Sequence, residues 1–140
     1  MTLQLQFTVP GEPRGKGRPR FTRQGRAYTP AKTVEYEQLI AGQARGAMLA
    51  HPSGPTQLPV EVRVDIHKGV PASWSKARRT RALDALEIPG KPDLDNVAKA
   101  VLDAMNGVVY VDDVQVVRLL VTKAYSLHPR LEVNVKERIE

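Results

Sequence analysis

Between Lys91 and Gln115 lie five of the chain's seven aspartates, Asp93, Asp95, Asp103, Asp112 and Asp113, although the formal net charge is +6. Carboxylates repel one another, so gathering them in a basic chain points to a cation they share rather than to solubility. Oxygen donors of this kind suit a hard ion such as Mg²⁺ or Mn²⁺. Pro92 favours extended backbone before it, and extended residues two apart share a side. Asp93 and Asp95 are therefore expected to face one point just ahead of a helix. Asp95, Lys99 and Asp103 follow one another at i, i+4 and i+8, which sets Lys99 one turn from the first acids.

The elements that must position these groups are legible around them. Leu94, Val97, Ala98, Val101, Leu102 and Met105 recur at helical spacing and form one apolar stripe. Gly107 after Asn106 is a suitable stop. Val108 to Val111 then reads as a short β-type run that ends at Asp112-Asp113. A strand returning beside the helix would carry Asp113 back toward Asp93 and Asp95, gathering three or four carboxylates and a lysine. Taken singly, each residue has a plainer role: a helix N-cap for Asp93 or Asp95, a solvated position for Lys99, an ordinary turn for Asp112-Asp113. A lone Asp-x-Asp also occurs in phosphatases and glycosyltransferases. The combination is what favours a metal site.

The whole chain narrows the classes further. Its 140 residues, 41% of them hydrophobic, suit a single domain over 1–140 with one core and no staples. Cysteine is absent, which excludes disulfides, thiolate zinc sites and a cysteine nucleophile, and agrees with a reducing cytoplasm. His51, His67 and His128 lie far apart, without a ligand spacing. No signal peptide or membrane-spanning stretch is expected. The positive charge favours an anionic partner, with nucleic acid foremost.

In chain order, Leu3, Leu5, Phe7 and Val9 alternate with polar residues as a half-buried strand. A Gly/Pro-rich loop follows, carrying Arg14, Lys16, Arg18, Arg20, Arg23 and Arg26 with Phe21 and Tyr28. Its cations suit phosphates, and Phe21 or Tyr28 suits stacking on an unpaired base; the plainer alternative is a flexible solvated loop with its aromatics turned toward the core. Thr29-Pro30 opens a helix to about Ala50, with Val34, Leu39, Ile40, Ala44, Ala47 and Met48 on its less polar side. Val60, Val62, Val64 and Ile66 alternate as a second long strand. A helix from Trp74 to about Leu86 carries Lys76, Arg78, Arg79 and Arg81, either along a phosphate backbone or as a solvated face. Lys91 adds a cation at the entrance to the aspartate run. Val116 to Tyr125 and Leu131 to Val135 read as an antiparallel hairpin around His128-Pro129. The order β-α-β-α-α-β-β is that of a single α+β domain, a mixed β-sheet with helices packed on it.

Lys91-Pro92-Asp93-Leu94-Asp95-Asn96, then Lys99, then Asp103-Ala104-Met105-Asn106-Gly107-Val108-Val109-Tyr110, then Asp112-Asp113-Val114-Gln115-Val116 together resemble the RusA family of Holliday junction resolvases. The basic Gly-rich loop and Pro71-Ala72-Ser73-Trp74-Ser75-Lys76 extend the likeness, to phage-type members, over nearly the whole chain. The resemblance implies a small homodimeric, Mg²⁺-dependent endonuclease that cuts four-way DNA junctions symmetrically. It places the essential carboxylates on Asp93, Asp95 and Asp113 and the active-site lysine on Lys99. Asp112 is the companion acid, and Asp103 structural support. A homodimer is expected because two symmetric nicks need two sites related by a two-fold axis. The rival readings are a non-catalytic junction-binding protein, another Mg²⁺ enzyme acting on phosphates, and a flap or general branched-DNA nuclease.

Overall fold

The computed structural model describes residues 2–138. Ten short elements follow one another: β1 (Gln4–Pro10), β2 (Arg20–Phe21), β3 (Ala27–Tyr28), α1 (Ala31–Met48), β4 (Val60–Gly69), α2 (Lys76–Leu83), α3 (Leu94–Met105), a 3₁₀ turn (Asp113–Gln115), β5 (Val116–Ser126) and β6 (Arg130–Glu137). The expected α+β order holds, with the β2–β3 hairpin added inside the basic loop.

Alternation becomes a core through register. β1, β6, β4 and β5 form one mixed sheet in that order, antiparallel except where β5 runs parallel to β4. Pairing lines up Leu5, Val135, Val62 and Leu119 in one row, and Phe7, Val133, Val64 and Val121 in the next. A third row joins Val9, Leu131 and Ile66 to Lys123. Residues two apart along a strand share a face, so these rows make one apolar surface, and α1 and α3 contribute the other wall of the core.

The opposite face is polar and cross-linked by ion pairs. Glu61 meets Arg118 and Lys136, Arg63 meets Asp65, and Glu132 meets Arg130.

Three expectations are corrected. β5 and β6 are not a hairpin, because β4 lies between them and pairs with both. The short Leu127–Pro129 connection therefore spans a strand instead of joining neighbours. The Val108–Val111 run is no strand either. Gly107, at φ 75°, turns the chain back, and Val109 and Tyr110 are wholly buried beneath it. The Tyr110 hydroxyl donates to the Leu102 carbonyl at 2.7 Å, and single bridges link Tyr110 to Thr56 and Asn106. The run is a plug under the end of α3. On α1, the buried stripe is Thr33, Tyr36, Ile40, Ala41, Ala44 and Met48, while Val34 and Leu39 lie outside it in water.

Candidate active site

α3 forms because its alanines and straight-chain residues favour helix and its stripe Val97, Ala100, Val101, Ala104 and Met105 is driven under the sheet. That burial fixes which way the polar face points. The segment before it is tied down from an unexpected quarter. The Lys123 ammonium, from the core-facing row of edge strand β5, donates to the carbonyls of Gly90 and Pro92 at 3.0 and 3.1 Å.

Asp93 occupies the N-cap position of α3 in extended backbone, yet its side chain makes no capping hydrogen bond. The plain N-cap role is therefore not what its carboxylate does. Asp95 lies exposed in the first turn. Lys99 extends into solvent on the same helix, with its ammonium 3.8 Å from Asp103.

The acids after the helix divide differently. Asp112 accepts from the Val114 amide at 3.1 Å while Gln115 Oε1 accepts from the Asp112 amide at 2.9 Å, a reciprocal box that starts the 3₁₀ turn. For Asp112 the turn role is real. Gln115 also donates to the carbonyls of Thr56 and Leu58, both at 2.9 Å, locking the turn to the loop before β4. The Asp113 amide donates to Asn106 Oδ1 at 2.9 Å. Burial, then the adjacent Asp112 carboxyl, then the charge of Asp103 hold the Asp113 carboxyl above its ordinary range.

Asp113 therefore docks at the C-terminal end of α3, whereas Asp93 and Asp95 sit at its start. Twelve residues of helix separate the two ends by roughly 18 Å at the usual rise per residue. The structure spreads the acids along α3 in two pairs, Asp93 with Asp95 and Asp112 with Asp113. Among the described residues, no three His, Cys, Asp or Glu side chains stand together as ligands of one metal ion. The donor chemistry nevertheless fits a hard cation. Among the described residues, Asp93, Asp95, Asp112 and Asp113 form no ion pair, so no cation of the chain neutralises them, although one Asp112 oxygen is occupied by the Val114 amide.

The basic residues also sort themselves. Lys16 is not a free phosphate ligand: its ammonium donates to Asp103 at 2.7 Å and to Glu37 at 2.8 Å. Burial works against its charge, but those two hydrogen bonds outweigh it and hold its pKa above the ordinary value. The Lys16 amide donates to the Asn96 carbonyl at 3.0 Å, seating the loop on the first turn of α3. On α2, Arg78 stacks on Trp74, 3.6 Å from the ring centroid, and pairs with Glu87; Trp74 in turn packs edge-on against Tyr125. Arg79 has its Nε buried without a partner. Of the four α2 cations, Arg78 and Arg81 both pair with Glu87 and Arg79 is half-buried, while Lys76 is exposed and, among the described residues, unpaired.

Arg14, Arg18, Arg20, Arg23, Arg26 and Lys91 are exposed and, among the described residues, unpaired. Arg18 and Lys91 line a polar hollow with Gly15, Asn96 and Asp93, which joins the cationic loop to the first acid pair. Sequence reasoning missed the anchoring work of Lys123, Gln115 and Lys16. Nothing local marks the anchoring, because the groups it ties together, Lys123 to Gly90 and Pro92, Gln115 to Thr56 and Leu58, and Lys16 to Glu37 and Asp103, are distant in sequence.

Among the described residues, no helix is long and apolar enough to cross a membrane. Comparison with known proteins matches residues 10–136 to the family profile described as endodeoxyribonuclease RusA. The chain is also 41% identical over 140 residues to the uncharacterized protein YqaN of Bacillus subtilis (strain 168), covering 95% of this chain and 96% of that protein. With the aspartate run and its helix inside the matched span, the chain belongs to the RusA endodeoxyribonuclease family.

Proposed function

We propose that this endodeoxyribonuclease is a Mg²⁺-dependent, structure-selective enzyme that resolves four-way junctions by paired symmetric nicks, acting as a homodimer. The observation that carries the reading is the state of its acids. In a chain of net charge +6, the four carboxylates at the two ends of α3 have, among the described residues, no cation paired with them, and one stands at an N-cap it does not cap. Asp93 with Asp95 at the start of α3, and Asp113 with Asp112 beyond its end, are the two carboxylate pairs that would hold divalent cations, each pair its own. Bound there, a divalent cation (Mg²⁺, with Mn²⁺ as substitute) supplies charge neutralisation at the phosphate and a water of lowered pKa.

The chain's own residues do the rest. Lys99, one turn from Asp95 and largely in solvent, brings an ammonium to the charge that builds on the phosphate oxygens. Arg18 and Lys91, in the hollow next to Asp93, hold the flanking backbone and set the scissile phosphate against the acids. Phosphate contacts of this kind give the salt-dependent share of the grip.

A labelled four-way junction, a flap and a plain duplex, each incubated with protein in Mg²⁺, test this directly. Paired nicks in the junction and little cutting of the duplex are expected. Asp95→Asn should abolish nicking and keep junction binding. Wild-type-like cleavage by that variant, or equal cutting of all three DNAs, would overturn the assignment.

A further inference from the structure

The β2–β3 hairpin is not used by the chemistry above. Between Glu12 and Glu35 the chain carries seven cations and no acid. The structure folds the middle of this stretch into a ribbon, pairing Arg20 with Tyr28 and Phe21 with Ala27. The Thr22 amide donates to the Arg26 carbonyl at 2.8 Å, the Arg26 amide to the Thr22 hydroxyl at 3.1 Å, and Gly25 takes φ +80°. The tip is thus a defined turn.

Its side chains are set out for a partner. Phe21 is 69% exposed and Tyr28 48%. A single exposed hydrophobe calls for no explanation. An aromatic ring opposite an alanine, which leaves its face uncovered, beside exposed Arg20, Arg23 and Arg26 that are unpaired among the described residues, is a different surface. Aromatic faces flanked by cations are the means by which proteins hold unpaired bases between phosphates. The ribbon is also rooted at the acids. Gly17 donates to the Thr33 hydroxyl at 2.9 Å and Lys16 to the Asn96 carbonyl, so Arg18 lines the hollow beside Asp93. Phe21 lies three extended residues further, a reach of about 10 Å.

We propose that this ribbon is a stacking wing that reads the branch point: Phe21 stacks on an unpaired base while the wing arginines hold the phosphates on either side. Bases inside a duplex are already stacked, so Phe21 gains contact only where pairing is interrupted. The wing therefore supplies preference for branched over plain DNA. This rests on the branched-substrate reading above.

The test uses the full chain carrying Asp95→Asn, so that DNA is bound without being cut, and a four-way junction with 2-aminopurine at the branch. Phe21→Ala should weaken junction binding about tenfold, the scale of one base–aromatic stack, with duplex affinity changed less than about twofold. It should also alter the 2-aminopurine signal, and Phe21→Trp should restore both. Arg23→Ala with Arg26→Ala should weaken junction and duplex alike and lower the salt slope. If Phe21→Ala weakens both DNAs equally, or neither, the wing is a backbone clamp and the inference fails while junction cleavage stands. If the Phe21-containing parent itself shows no junction preference, the inference and the branched-substrate reading fall together.

Discussion

Replacing Lys16 by methionine tests whether the basic loop is anchored to the catalytic helix or only lies near it. The Lys16 ammonium joins the loop to α1 through Glu37 at 2.8 Å and to α3 through Asp103 at 2.7 Å. All three side chains are only 20–23% exposed, so solvent screens the pairs incompletely. Two charge-assisted bonds, less the entropy of ordering a lysine, leave a net loss of about 2 kcal/mol on substitution. Asp103 keeps Lys99, but that pair is longer, at 3.8 Å, and its lysine is 66% exposed, so it offsets only a few tenths of a kcal/mol. For a domain of this size the loss corresponds to a melting temperature lower by about 7 °C. Thermal unfolding of wild type, Lys16→Met, Asp103→Asn and the double variant gives both the loss and the coupling, which should be about 1 kcal/mol. The sign with pH is also fixed. A lysine whose folded pKa is raised contributes fully below its ordinary value of 10.5 and loses that contribution only as pH climbs past it. The gap between wild type and Lys16→Met should therefore be flat from pH 7 to about pH 9. A variant within about 0.5 kcal/mol of wild type, the level of an ordinary surface change, would show that the clamp is not formed.

Two further outcomes follow from the same region. A Cβ at Gly15 would meet the Asn96 Cβ at 2.8 Å and the Pro92 Cβ at 3.4 Å, neither of them the end of a flexible side chain. Gly15→Ala should lift the loop from α3, costing about 1–2 kcal/mol and speeding tryptic cleavage between Arg18 and Arg26; an unchanged digestion rate would contradict this. Asp113 is held above its ordinary value of 3.8 by burial and by Asp112 and Asp103. The folded state therefore binds its proton more tightly than the unfolded state, and stability is lost as pH rises above that value. Without divalent cation, Asp113→Asn should be more stable than wild type at pH 7, and the advantage should close as pH falls toward 3.8. Urea titrations at the two pH values check this, and a variant less stable than wild type at neutral pH would refute it.

How much was legible follows from the range of the interactions concerned. The four long strands and three helices were readable because each is set by a local period: Val60, Val62, Val64 and Ile66 alternate, and Val97, Val101 and Met105 recur by turns. Lys99 beside Asp103, and Asp95 in the first turn, follow from helix geometry alone. The strand order was not readable. β5 and β6 are consecutive and joined by a short connection, so pairing them was the natural expectation, and only the insertion of β4 between them corrects it. The Val108–Val111 run failed for a related reason: β-branched residues indicate burial as readily as strand, and here Tyr110 plugs the end of α3.

The sequence by itself determined the chemistry of the site: a basic chain with its carboxylates gathered in one run, a lysine one turn away, and a Gly-rich cationic loop. These are properties of composition and short spacing, and they survive any packing. Tertiary structure decided which charges are free. It tied Lys16 to Glu37 and Asp103, stacked Arg78 on Trp74, and set Asp113 at the opposite end of α3 from Asp93. Whether an ion-pairing group finds a partner depends on what the fold brings within about 4 Å, and residues such as Lys16 and Asp103 are strangers along the chain.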